Sequence, residues 1–113
     1  MDRLDDLQQS TRVFRALSVE SRARILYLLS RRSLCVGALS NLAGISAGAV
    51  SQHLRVLKDA GLVEADRRGY FIHYRVAPGA AARCTAAMQY LFKLKKGGRR
   101  CAAERRSARG RKT

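Results

Sequence analysis

Residues 46–62, read S-A-G-A-V-S-Q-H-L-R-V-L-K-D-A-G-L, specify a short helix with one apolar stripe and an opposite face that is polar and basic. Ser46 is a good N-cap, because its hydroxyl satisfies free N–H groups of the first turn, and Gly61 supplies a left-handed stop. Between them Val50, Leu54 and Leu57 fall at i, i+4 and i+7, the spacing of a stripe that packs inward. Ser51, Gln52, Arg55 and Lys58 then project elsewhere. Hydroxyl, amide and cationic groups are the types that meet base edges and phosphates in a major groove, so the polar face is the candidate functional one.

The flanking segments supply a frame for such a helix. Leu4, Leu7, Val13, Phe14 and Leu17 predict an amphipathic helix over residues 3–17. The run S-V-E-S-R-A-R-I-L-Y-L-L, with Ser18 as N-cap and Glu20 in the first turn, predicts a second helix carrying Ile25, Leu26, Leu28 and Leu29. Residues 33–36 read as a short extended link. Residues 36–43 follow as a third helix with Leu39 and Leu42, closed by Gly44. A third helix, a tight Gly-containing turn and a polar-faced fourth helix make a helix-turn-helix.

After Gly61 the period changes from 3.6 to 2. Residues 62–67 and 70–76 alternate on either side of a turn at Arg68-Gly69, which predicts a β-hairpin with a basic tip. A hairpin after a helix-turn-helix is a wing, whose arginines reach phosphate or an adjacent minor groove. The expected fold is therefore mainly α with a β-hairpin wing, a winged helix-turn-helix. Pro78 and Gly79 end the strand, and residues 80–96 predict a last helix with Ala87, Met88, Leu91, Phe92 and Leu94 as its apolar positions. So small a domain has little core left for that face or for the first helix, which predicts a two-fold homodimer formed through the first and last helices. Residues 1–96 would then form the DNA-binding and dimerisation domain. Residues 97–113, rich in Gly, Arg, Ser and Lys, would form a basic tail too polar to fold alone.

The charge balance agrees with a nucleic-acid partner. Lys and Arg number 23 against 8 Asp and Glu, for a net charge of +15 over 113 residues. Nine basic groups in residues 95–113 against Glu104 alone put +8 on the tail and leave +7 on the rest. No apolar run approaches the roughly 18 residues of a membrane span, and the opening M-D-R-L-D-D does not begin a signal peptide, so a cytoplasmic protein without membrane attachment is expected. Three cysteines without a secretory signal predict reduced thiols. There is no Gly-rich phosphate loop, no carboxylate pair in a plausible pocket and no Ser-His-Asp or Cys-His frame, so the chain does not read as an enzyme.

The segments A-L-S-V-E-S-R-A-R-I-L-Y-L-L, S-L-C-V-G-A-L, G-I-S-A-G-A-V-S-Q-H-L-R-V-L-K-D-A-G-L-V and R-R-G-Y-F-I-H-Y-R-V, in that order, resemble the ArsR/SmtB-type metalloregulators across about residues 12–77. The resemblance implies a homodimeric winged-helix repressor that binds double-stranded operator DNA and leaves it when an inducer binds. It places Ser46, Ser51 and Gln52 on the DNA-meeting helix, where Ala47, Arg55 and Lys58 are further candidate contacts, and Arg67, Arg68 and Tyr70 on the wing. It also sets Cys35 on the first cysteine of the family's C-V-C metal box, whose second position is Gly37 here, while residues 80–96 carry neither the Asp nor the His that zinc-type members place there.

The cysteines admit three readings. Cys35 is a small hydrophobe filling space beside the third helix. Alternatively Cys35, Cys84 and Cys101 form a three-thiolate site for arsenic(III), cadmium or zinc, assembled across a dimer. In a third reading two of them exchange a disulfide or persulfide under an oxidant. His53 and His73 have no ligand-like neighbours at metal spacing and read as surface or core residues. The expected function is sequence-specific repression released by a thiophilic metal(loid) or by thiol oxidation. The alternative is a non-specific nucleoid-like or RNA-binding basic protein with no inducer, which would show a steep salt slope and no sequence preference.

Overall fold

The computed structural model describes residues 3–92. The tail from residue 97, Cys101 and the last turn expected for the final helix lie outside them. In chain order the elements are α1 (Arg3–Leu17), α2 (Glu20–Leu29), β1 (Leu34–Cys35), α3 (Val36–Ala43), α4 (Ala47–Asp59), β2 (Val63–Arg68), β3 (Phe71–Val76) and α5 (Ala80–Phe92). The fold is the expected winged helix-turn-helix. Among the described residues no helix is long and apolar enough to cross a membrane.

The core is assembled where α2, α3 and α4 meet the root of the wing. Ile25, Leu39, Val50, Leu57 and Leu62 are fully buried there, and Leu34 and Val63 close the cluster from the sheet. Each fully buried side chain of this kind is worth about 1.5–3 kcal/mol relative to exposure. On α3 Leu39 is buried, but Leu42 stands 52% exposed, because the short helix turns only one ridge to its neighbours. α1 packs along α5 and buries Val13 and Ala87, leaving Leu7, Met88, Leu91 and Phe92 exposed.

Local chemistry explains the boundaries. Contrary to the sequence expectation, Ser18 does not cap α2; its hydroxyl donates to the Arg15 carbonyl at 2.8 Å, and Val19 precedes α2 without a side-chain cap. Arg22, reaching back from α2, donates to the carbonyls of Ala16 and Arg15 at 3.0 and 3.1 Å. Both side chains satisfy carbonyls left free at the C-terminus of α1, where a cation also meets the negative end of the helix dipole. α3 ends at Gly44 in the left-handed region (φ 72°), and Ser40 donates across the turn to the Ile45 carbonyl. α4 begins as expected: the Ser46 hydroxyl accepts from the Ala49 N–H at 3.1 Å. Gly61 has φ 79°, a left-handed backbone conformation that residues with a Cβ rarely adopt, which keeps that position glycine.

The link expected at residues 33–36 is in part a strand. β1 pairs antiparallel with β3, Leu34 opposite Tyr74 and Cys35 opposite His73, giving a three-stranded sheet of order β1-β3-β2. Two residues of backbone pairing leave no period-2 signature long enough to read. The hairpin turn is also one residue later than expected: Arg68 pairs with Phe71, and Gly69-Tyr70 form the loop, with Gly69 at φ 63° in the position a type II′ turn reserves for glycine.

Candidate nucleic-acid interface

α4 turns Val50, Leu54 and Leu57 into the core and leaves Ser51, Gln52, Arg55, Lys58 and Asp59 exposed, with Ala47 exposed in its first turn. Among the described residues Arg55 and Lys58 have no ion-pair partner, although Asp59 lies beside them. Two unneutralised cations and two neutral polar groups on one exposed helical stripe form a surface suited to phosphates and base edges.

The wing adds to this surface unevenly, and the register explains why. Side chains of directly paired residues share a face, so Val63, Ala65, Arg67, Ile72, Tyr74 and Val76 point to the core side of the sheet. Glu64, Asp66, Arg68, Phe71, His73 and Arg75 point to the outer side. Tyr74, on the inner face, joins Ser51, Leu54, Arg55, Lys58 and Asp59 in lining a cleft of about 410 Å³ between α4 and β3. Arg67 follows on that face toward the tip, exposed and without an ion-pair partner among the described residues. Arg68 lies on the outer face, where Asp66 Oδ2 holds its Nε at 3.0 Å; Arg75 is likewise held by Glu64 at 2.6 Å. Of the two arginines expected at the wing, the structure places Arg67 toward α4 and pairs Arg68 away from it. Tyr70 stands at the tip, 101% exposed.

Tyr74 is the residue of the cleft that sequence reading passed over. Its signal was present: it sits two residues before Val76 and so shares that residue's inward face. The cleft lining mixes apolar and polar groups, Leu54 and the Tyr74 ring beside Ser51, Arg55, Lys58 and Asp59. A phosphodiester with its attached sugar has a similar mixture of charged and apolar parts.

The cysteines are not brought together with a third ligand. Cys84 packs against the core cluster from α5; burial pushes its thiol up, and Arg83 beside it draws it partly back. A thiol held protonated is a weak nucleophile and a poor metal ligand. Cys35 is half-buried at the N-terminus of α3, its Sγ accepting from the Ala38 N–H at 3.5 Å. His73, opposite Cys35 on the central strand, has a buried Nδ1 with no hydrogen-bond partner among the described residues. Among the described residues no three His, Cys, Asp or Glu side chains form a group that fits a metal ion. The three-thiolate site therefore has no complete donor set in residues 3–92, and Cys101 lies outside them.

Comparison with known proteins gives the fold a lineage. The sequence model described as "Bacterial regulatory protein, arsR family" matches residues 20–65. A transcriptional repressor SmtB homolog from Synechocystis is 39% identical over 74 residues, covering 66% of this chain and 56% of that protein. The arsenic resistance transcriptional regulator ArsR1 of Pseudomonas putida is 36% identical over 67 residues, covering 58% of this chain and 52% of its own length. The chain thus spans about half the length of these curated relatives. Among solved structures, the homodimeric winged helix-turn-helix DNA-binding domain of Mb0332 from Mycobacterium bovis is 38% identical, superposes with a TM-score of 0.65, and is matched over 75% of this chain and 79% of that one.

Proposed function

Because the chain belongs to the ArsR family of bacterial winged-helix regulatory proteins, we propose that it is a sequence-specific transcriptional repressor that binds double-stranded operator DNA as a homodimer. The observation that carries this reading is the unpaired stripe of Ser51, Gln52, Arg55 and Lys58 on α4, continued across the cleft by Tyr74 and Arg67. α4 lies in the major groove, where Gln52 reads a base edge, while Arg55, Lys58 and Arg67 hold phosphates on either side. The family and its structural neighbours are DNA-binding regulators, not enzymes.

The dimer rests on the exposed apolar face of the α1–α5 pair. Leu7, Met88, Leu91 and Phe92 are 41%, 52%, 43% and 78% exposed, and a second copy of the same face covers them with matching chemistry. The Mycobacterium bovis relative is itself described as homodimeric. Residues 1–96 form the unit that binds and dimerises, and the basic residues 97–113 add affinity without specificity.

Selection of duplexes from a random pool, followed by titration of single variants, tests the reading. Gln52→Ala is expected to relax the preference at one or two base pairs by about 1–3 kcal/mol. Lys58→Ala should weaken binding to all sequences alike and lower the salt slope by about one. Enrichment of no sequence, with equally tight binding to RNA, would instead establish the non-specific alternative.

Release is proposed to follow a thiol-directed signal, a thiophilic ion such as arsenic(III), cadmium or zinc, or an oxidant. The support is the position of Cys35 and the description of one relative as an arsenic resistance regulator. Cys35→Ser should abolish release of DNA by arsenite, cadmium or peroxide, whereas Cys84→Ser should retain most of it, because the raised pKa of the Cys84 thiol keeps it protonated at neutral pH. An unchanged response in the Cys35 variant would make that residue structural.

A further inference from the structure

The wing ends in two adjacent aromatic side chains that the described chain leaves in water: Tyr70 is 101% exposed and Phe71 65%. Neither contributes to the core, and Tyr70 occupies a turn position that a small polar residue would fill at lower cost in exposed apolar surface. Their neighbours are cationic, with Arg67 on the inner face and Arg68 on the outer. An exposed aromatic tip bracketed by guanidinium groups is suited to a partner with π faces and negative charge, which describes a nucleic acid better than a protein surface.

The length of the hairpin agrees. From the root pair Val63/Val76, where Val63 is buried beside the end of α4, to the last pair Arg68/Phe71 the register runs five residues. At about 3.4 Å per residue this is about 17 Å. B-DNA repeats in about 34 Å, so the minor groove next to a given major groove lies about half that distance along the axis. A hairpin of this reach, rooted beside a helix seated in the major groove, brings its tip to the flanking minor groove.

We infer that Tyr70, backed by Phe71, enters that minor groove as a wedge, partly unstacks one base step and bends the duplex. This rests on the DNA-binding reading above and adds to it a mode of recognition. Insertion costs least at pyrimidine–purine steps, which unstack most readily, so the wedge selects a flexible step outside the reach of α4 without a hydrogen bond to any base. Arg67, which has no ion-pair partner among the described residues, holds a phosphate beside the opened step, while Arg68 stays with Asp66. The wing thus contributes specificity through the stiffness of DNA, while α4 contributes it through base edges.

The test uses the full chain and the duplex it selects from a random pool, in two versions that differ only in the flanking step: a TA step, or a stiff A-tract. 2-Aminopurine replaces the adenine of the step, and fluorophores at the two ends report the bend. The wild-type protein should raise 2-aminopurine fluorescence on the TA duplex, bend it by at least about 20°, and favour it over the A-tract version about tenfold, the size of one base–aromatic stack. Tyr70→Ala should lose all three effects and bind the two duplexes with equal affinity; Tyr70→Phe should preserve the wild-type behaviour. Arg67→Ala should weaken both duplexes equally. Wild-type binding with unchanged fluorescence and no bend overturns the wedge and leaves the DNA-binding reading intact. Failure of the wild-type chain to enrich any duplex and to bind DNA at low salt overturns both.

Discussion

Titrated against its selected duplex, the protein should lose at least about a thousandfold in affinity between about 50 and 200 mM salt. The magnitude comes from counting cations that have nothing else to hold. Among the described residues Arg55, Lys58 and Arg67 are exposed and have no ion-pair partner, while Arg24, Arg68 and Arg75 already face carboxylates. Two copies present about six such groups, and neutralising about six phosphates gives a slope of log affinity on log salt near −5. The tail of the full chain can only steepen it. Exchange of Arg68 should change the slope little, because Asp66 at 3.0 Å already neutralises it. Filter binding or fluorescence anisotropy across a salt series measures this directly, and a slope shallower than about −2 would remove α4 and the wing from the phosphate backbone.

Leu57→Ala should destabilise the domain by about 3 kcal/mol, within the range for truncating a fully buried leucine. Leu57 has no solvent exposure and sits where α4 meets the core, with its carbonyl also accepting from the Leu62 N–H at 2.9 Å. For a domain of this size the loss is a large part of a total stability of about 5–10 kcal/mol, and the thermal midpoint should fall by more than about 10 °C. Leu42→Ala provides the contrast: at 52% exposure its truncation should change stability by less than about 0.5 kcal/mol. Differential scanning calorimetry of the two variants decides; equal losses would contradict the core described here.

Leu39 and Leu42 also show where sequence reading stops. Both lie on the same apolar pattern, and only the tertiary approach of α2 and α4 decides that one is buried and the other exposed. The recognition helix was legible almost to the residue, because its N-cap, stripe and terminal glycine act locally and agree with one another. The wing was legible as a hairpin but displaced by one residue at its turn, since Arg68 and Tyr70 are equally compatible with flanking Gly69. β1 was illegible, because two residues acquire strand geometry only from a partner 40 positions away in the chain. Ser18 was misassigned because a serine between two helices can serve either, and here the unsatisfied carbonyls of α1 claim it. For the candidate site, residue type was readable and direction was not. Arg67 and Arg68 are indistinguishable as letters, yet pleating sends one toward α4 and the other to a carboxylate.

Cys35 is at once the last residue of β1 and the N-cap of α3. Its backbone is paired to His73 in the middle strand of the wing, and its sulfur receives the first turn of the helix that supports α4. Mechanically the residue is a hinge pin shared by two levers. On the thiol-directed reading proposed above, a covalent or ionic load on its sulfur would act on the helix-turn-helix and the wing at the single point the two share.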